Sequence, residues 1–174
     1  MHEAKTIWLT GLSGAGKSTI ADALKQRFDM AGQPCVVLDG DRLRTGLCAD
    51  LGFSHEDRSE NIRRVAHVCR LFNDTHVVAI VALISPYAKD RLIAREVIGI
   101  TRFVEVHIAT ALEECERRDP KGLYSKARAG LLKEFTGVSA PYEPPTEPAC
   151  VLDTTKLSVA QCVDTLYRLA GASR

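Results

Sequence analysis

Apolar residues in this chain fall in short unbroken runs, separated by longer stretches in which they return about every three to four positions. The unbroken runs are Thr6–Thr10, Cys35–Leu38, Val77–Leu83, Phe103–Ile108 and Cys150–Leu152. They are continuous rather than alternating, the pattern of strands buried on both faces in a parallel sheet. The periodic stretches predict helices over Lys17–Met30, Ser54–Asp74 and Asp90–Ile98. In the second, Ile62, Val65, Cys69 and Phe72 share one stripe, and Ser54 is placed to cap a first turn that carries Glu56 and Asp57. Thr110-Ala111-Leu112-Glu113 and Ser158-Val159-Ala160-Gln161 read as capping boxes that open two more helices. Strands alternating with helices predict an α/β three-layer domain, a mostly parallel five-stranded sheet with helices on both faces, spanning residues 1–174 as one unit.

One region breaks the rhythm. Phe135–Pro148 contains Gly137, Pro141, Pro144, Pro145 and Pro148, so it is neither helix nor central strand. A long loop in a compact domain is usually functional or disordered. Just before it lie Arg117, Arg118, Lys121, Lys126 and Arg128, which together with the loop read as a basic lid over a phosphate site. Overall charge changes the picture little. With 23 basic and 22 acidic residues the net charge is +1, which gives no long-range attraction to nucleic acid or to an anionic membrane. Any anion site must therefore be local. Met1–Lys5 show no apolar run of a signal peptide, and no stretch is long enough to span a bilayer, so a cytoplasmic setting is expected. The six cysteines form no C-x-x-C pair and read as free thiols rather than disulfides or zinc ligands.

Gly11-Leu12-Ser13-Gly14-Ala15-Gly16-Lys17-Ser18, followed by Thr19, fits the G-x-x-x-x-G-K-[ST] pattern between a strand and a helix. Such a loop turns successive backbone N–H groups toward phosphate, while the helix N-terminus adds its positive end. Lys17 is placed to reach the terminal phosphates of ATP, and Ser18 to offer a hydroxyl to Mg²⁺. Asp39 and Asp41 follow the second strand, flanking Gly40, at the sheet end where open α/β sheets hold their ligands. A carboxylate there organises Mg²⁺ or takes a proton from an acceptor hydroxyl. Arg42, Arg44, Arg58, Arg63 and Arg64 come next, with Arg58 and Asn61 one helical turn apart. The guanidinium fork suits phosphate or sulfate. Phe53 and Phe135 each flank polar, glycine-containing segments, where an aromatic face can stack on a planar ring.

Longer blocks carry a more specific resemblance. Asp39-Gly40-Asp41-x-Leu43-Arg44, Asp50-Leu51-Gly52-Phe53-Ser54 and Asp57-Arg58-x-Glu60-Asn61-Ile62-Arg63-Arg64 are similar to adenylyl-sulfate kinases. So are Ile84-Ser85-Pro86-Tyr87, Arg118-Asp119-Pro120-Lys121-Gly122-Leu123-Tyr124, Ala127-Arg128-Ala129-Gly130, Phe135-Thr136-Gly137 and Pro141-Tyr142-Glu143-x-Pro145. The blocks run from Thr6 to about Asp153, far beyond the P-loop. The sequence departs from the family's usual residues at Arg42, at Ala88 and at Thr75-His76, none of them assigned to chemistry.

The resemblance implies a P-loop kinase fold with a lid. It implies transfer of the ATP γ-phosphoryl, with Mg²⁺, to the 3′-hydroxyl of adenosine 5′-phosphosulfate, giving 3′-phosphoadenosine 5′-phosphosulfate for sulfate assimilation. Arg44, Arg58 and Asn61 would hold the phosphosulfate and ribose, and Phe53 and Phe135 would sandwich the adenine. Asp41, Lys121, Ile84 and Ser85 would add contacts, and Lys17, Asp39, Asp41 and Ser85 are the catalytic set it implies. Ser85 corresponds to a serine described in the family as a phosphoserine intermediate, although direct in-line transfer is the simpler reading, since no base is evident beside it. A homodimer, and functional pairing with ATP sulfurylase, are also implied. Two other readings share the P-loop: a kinase for a different small-molecule hydroxyl, and a nucleotide-dependent switch. The first would not need two aromatics around its acceptor. The second is opposed by the intact Lys17, Ser18 and Asp39 and by the lack of an N-K-x-D motif.

Overall fold

The computed structural model describes residues 3–171. Its strands are β1 (Thr6–Thr10), β2 (Cys35–Asp39), β3 (Val78–Ala82), β4 (Phe103–Ile108) and β5 (Cys150–Leu152). They form one sheet in the order β2-β3-β1-β4-β5, and all four pairings are parallel. β1 is central, with Thr6–Thr10 buried throughout, which is why its sequence does not alternate.

The side chains of β1 point alternately to two cores. Ile7 and Leu9 pack with Ile20, Leu24 and Phe28 of helix α1 (Lys17–Met30) and with Leu166 and Tyr167 of α7 (Val159–Leu169). On the opposite face Trp8 packs with Ile62, Val65 and Cys69 of α3 (His55–Asp74) and with Ala94 and Ile98 of α4 (Ala88–Ile98). Each fully buried aliphatic side chain contributes about 1.5–3 kcal/mol. Helices therefore cover both faces of the sheet, and every β-to-α connection from β1, β2 and β3 emerges at the same sheet edge.

Local chemistry sets two helix starts as expected. The Ser54 hydroxyl accepts the Asp57 N–H, and Ser158 with Gln161 forms a complete capping box. The expected box at Thr110 does not form. The cap residue of α5 (Leu112–Arg118) is Ala111, and the Thr110 hydroxyl is drawn away to the Ala15 carbonyl (3.0 Å) and Thr154 (2.7 Å). Tertiary partners outcompete the local cap there. Two short helices lay outside the periodic pattern: α2 (Gly40–Leu43), capped by Asp39, and α6 (Leu123–Arg128) within the basic segment.

The lid segment is thus α5, α6 and a loop. Its charges are largely spent locally: Arg117 and Arg118 pair with Glu114, and Arg128 with Glu116. Phe135–Ala140 closes on itself, the Phe135 carbonyl accepting from the amides of Val138, Ser139 and Ala140.

Candidate active site

The turn after β1 depends on its glycines. A Cβ at Gly11 would sit 2.5 Å from the Ile108 carbonyl oxygen, and Gly16 caps α1 at φ 105°. Lys17, 8% exposed, folds back over this turn and donates to the carbonyls of Gly11 (2.8 Å) and Leu12 (2.7 Å). The Ser18 hydroxyl donates to Asp39 Oδ2 at 2.6 Å, joining the ends of β1 and β2. The other Asp39 oxygen accepts the Asp41 N–H at 3.0 Å and so caps α2. Gly40 lets this corner close, since a Cβ there would meet Leu83 at 2.9 Å. Asp41 is exposed and pairs with Lys121 across the mouth of the site.

Beside this corner lies a cavity of about 620 Å³. Ser13, Gly14, Gly16, Lys17, Ser18 and Thr19 line it from the P-loop side, with Asp39 and Asp41 from β2 and α2. Arg44, Phe53, Arg58, Asn61, Ile84, Ser85, Lys121 and Phe135 line the rest. Gly11, Leu12 and Ala15 do not. The first two supply the carbonyls that hold Lys17, and the Ala15 carbonyl faces the opposite way, accepting from Thr110 and Thr154.

The arginines are held by neutral partners. Arg44 donates to the carbonyls of Leu51 (3.3 Å) and Gly52 (2.8 Å), with its guanidinium 4.3 Å from the centre of the Phe53 ring. Arg58 donates to the Phe53 carbonyl and, at 2.9 Å, to the Glu134 carbonyl, tying α3 to the loop. Phe53 is 59% exposed at the rim, while Phe135 packs edge-on against Tyr124 with ring centres 5.0 Å apart. Among the described residues, the buried side-chain polar atoms without a partner are Asn61 Oδ1 and Thr136 Oγ1. Both residues line this cavity, and a buried orphan costs about 1–3 kcal/mol unless a ligand satisfies it.

Ser85 is 3% exposed and has φ 41°. Its Oγ accepts from Trp8 Nε1 at 3.1 Å and donates to the Leu83 carbonyl at 3.4 Å. No carboxylate or imidazole bonds to it among the described residues.

Sequence reasoning missed Thr136 and a second cavity of about 230 Å³, which opens from Gly16 and Thr19 toward Arg118, Thr154, Leu157 and Cys162. Arg118 donates to Thr154 Oγ1 at 2.8 Å across it. Arg118 stood out only as a member of the basic run and of one block of the resemblance, with no role assigned to it. Thr154 and Cys162 come from the far end of the chain with no motif around them, so only folding brings them to the P-loop.

The family model for adenylylsulphate kinase matches residues 3–153. The chain belongs to the adenylylsulphate kinase family. It is 54% identical over 163 residues to an adenylyl-sulfate kinase of Phocaeicola vulgatus, covering 94% of this chain and 80% of that protein. A Mycobacterium tuberculosis APS kinase solved in complex with AMPPNP and APS superposes with a TM-score of 0.94 at 44% identity, covering 99% of this chain and all of that one. A hexameric APS kinase from Thiobacillus denitrificans superposes at 0.72 with 32% identity, over 99% of this chain and 30% of that chain. As an adenylylsulphate kinase, the chain is a phosphotransferase whose acceptor is the 3′-hydroxyl of adenylyl sulfate.

For an adenylylsulphate kinase the charge state of Lys17 has a direct consequence. Burial pushes its ammonium down to about 8, partly opposed by the nearby Cys115, Asp39 and Asp41. The unfolded chain then holds more protons than the folded one from about pH 8 to the ordinary lysine range, so this group's penalty on stability fades as pH rises through that window. A phosphate beside Lys17 favours the ammonium and reverses the shift. Binding of Mg·ATP is therefore expected to take up more protons at about pH 9 than at about pH 7. Calorimetry in buffers of different ionisation enthalpy reads this directly, and equal uptake at both pH values, or uptake that survives Lys17→Met, would contradict it.

Proposed function

We propose that the larger cavity holds the reacting ends of both substrates, with ATP phosphates on the Gly11–Thr19 loop and adenylyl sulfate between Phe53 and Phe135. The observation that carries this reading is the Ser18–Asp39 corner, which opens into the same cavity as the unpartnered Asn61 and Thr136. The smaller cavity beyond Gly16 and Thr19 takes the ATP nucleoside, with Arg118 along its wall.

The corner suits Mg²⁺. A hydroxyl and one carboxylate are hard oxygen donors, too few to fill an ion's shell by themselves. That matches an ion which completes its shell with substrate phosphate and water. Ser18 and Asp39 would hold it, and when bound it would neutralise charge on the transferring phosphoryl group.

The remaining work falls to the chain. Backbone N–H groups of the loop and the Lys17 ammonium stabilise charge on the phosphoryl oxygens. Arg44 and Arg58 turn from neutral carbonyls to the phosphosulfate, a stronger acceptor. Asn61 fixes the ribose side of the acceptor. The carboxylates Asp39 and Asp41 stand where the 3′-hydroxyl proton leaves, and Asp41 becomes free when its pair with Lys121 opens. Ser85 contributes position rather than a covalent intermediate, because its hydroxyl is engaged by Trp8 and Leu83 and no base among the described residues bonds to it.

The assay is ADP release with Mg·ATP, with and without adenylyl sulfate, alongside chromatography for the 3′-phosphorylated product. Acceptor-dependent ADP matched one to one by that product is expected. Ser85→Ala is expected to keep turnover within about tenfold, since no bond to phosphate passes through it. Loss of all turnover in a folded Ser85→Ala protein would restore the covalent route.

The same proposal extends to assembly. Leu71, Leu92 and Ile100 stand exposed on α3, on α4 and just after it, apolar area that supports a homodimer. Pairing with ATP sulfurylase and a cytoplasmic setting remain parts of the proposal, as does one domain over residues 1–174, which the single sheet supports. Among the described residues no helix is long and apolar enough to cross a membrane.

A further inference from the structure

The turn Ile84-Ser85-Pro86 forms one wall of the larger cavity, yet little of its own sequence holds it in shape. Ser85 has left-handed backbone geometry, unfavourable for a residue with a Cβ unless its surroundings fix it. The surroundings here converge from four elements. From β1, Trp8 donates to Ser85 Oγ at 3.1 Å and the Thr10 hydroxyl donates to the Ile84 carbonyl at 2.6 Å. From the proline-rich loop, Tyr142 OH lies 3.0 Å from Thr10 Oγ1, and the Glu143 N–H donates to the Pro86 carbonyl at 2.8 Å. The Glu143 carboxylate accepts the Ala88 N–H at 2.7 Å, at the start of α4.

Arg91 is the centre of this arrangement. Its side chain is 3% exposed, and its charge is matched by Glu105 of β4, which accepts from Nε at 2.7 Å. One terminal nitrogen donates to the Ser85 carbonyl at 2.8 Å and the other to the Glu143 carbonyl, also at 2.8 Å. A buried guanidinium with each of its three nitrogens bonded is a rigid strut that lysine cannot reproduce, because an ammonium lacks the planar fork. Arg91 itself does not line the cavity.

We propose that Arg91 is a positioning residue for the acceptor: it locks the Ser85 turn in its left-handed form and ties that turn to the loop that carries Phe135, so that two walls of the acceptor side stay in register. This rests on the reading above that the Ile84–Pro86 wall faces adenylyl sulfate. A misplacement of about 1 Å in such a wall costs up to about a hundredfold in rate. The P-loop meets this turn only through the long Gly11 N–H to Ile84 carbonyl bond at 3.4 Å, and is otherwise held by Lys17, Thr110, Tyr124 and Thr154, so the ATP side is largely spared.

The test uses Arg91→Lys, which retains a cation for Glu105, and Glu143→Ala, an exposed position that releases the loop from α4. Trp8 is the only tryptophan in the chain, and its indole N–H is bonded to Ser85, so its emission reports the turn. In Arg91→Lys the KM for adenylyl sulfate is expected to rise about tenfold or more, with KM for ATP within about twofold and a shifted Trp8 emission. Glu143→Ala is expected to move the same two readouts in the same direction, by less. Unchanged acceptor KM in both folded variants overturns the inference, as does a parallel rise in both KM values with Trp8 emission unmoved. If the unaltered protein turns over adenylyl sulfate but no other nucleotide acceptor, the functional reading stands whichever way the variants fall. If it does not, that reading fails first.

Discussion

Lys17→Met is expected to lower kcat by about a thousandfold, with a melting temperature within a few degrees of the parent protein. Both halves follow from the geometry. The ammonium is buried and reaches only carbonyls of its own loop, so its removal loses two hydrogen bonds but also relieves the cost of burying a charge. Methionine fills nearly the same volume. What it cannot do is stabilise the charge that develops on the transferring phosphoryl oxygens. Steady-state ADP release and a thermal melt on the same preparation measure both quantities. Turnover within tenfold of the parent would remove Lys17 from the mechanism.

The second large effect separates two roles of one carboxylate. Asp39 receives the Ser18 hydroxyl at 2.6 Å and caps α2 by accepting the Asp41 N–H at 3.0 Å. Asp39→Ala removes both, and is expected to cost about 1 kcal/mol of stability through the lost cap and about a thousandfold in kcat. Asparagine is an equally good cap but carries no charge. Asp39→Asn is therefore expected to recover the stability of the parent while leaving turnover about a hundredfold or more down. Titration with Mg²⁺ checks the cause, because loss of the carboxylate should raise the metal concentration needed for half-maximal rate. An Asp39→Asn protein with near-parent turnover would mean that the corner is only a helix cap.

Most of the side chains proposed to hold the acceptor are satisfied without it, Asn61 Oδ1 being the exception. Arg44 and Arg58 rest on the carbonyls of Leu51, Gly52, Phe53 and Glu134, and Lys121 rests on Asp41. Exchange of a neutral carbonyl for a phosphosulfate oxygen gains strength for each arginine. The Lys121–Asp41 pair is exposed on both sides and so holds the mouth shut only weakly. On the proposed reading, the lid region is closed by contacts that a charged acceptor would displace readily.

Most of what depends on neighbours along the chain was legible before folding, with α2, α6 and the Thr110 cap as exceptions. The five strands, α1, α3 and the capping box of α7 follow from apolar runs, helical periodicity and a serine in the right place, since those interactions span only a few residues. The P-loop was legible for the same reason: its glycines, Lys17 and Ser18 lie within one turn and act together. The tertiary structure decided the rest, because it rests on partners far apart in sequence. Thr110 gives up its local cap for Ala15 and Thr154. Ser85, implied as a catalytic group by the family resemblance, has its hydroxyl occupied by Trp8, a residue 77 positions away. Thr136 shows itself only as a buried oxygen without a partner. Arg91 sits in an ordinary helical pattern, and its three bonds to Ser85, Glu105 and Glu143 arise only when β4, α4 and the proline-rich loop meet. A buried charge or hydroxyl is defined by what surrounds it, and those surroundings exist only once the chain has folded.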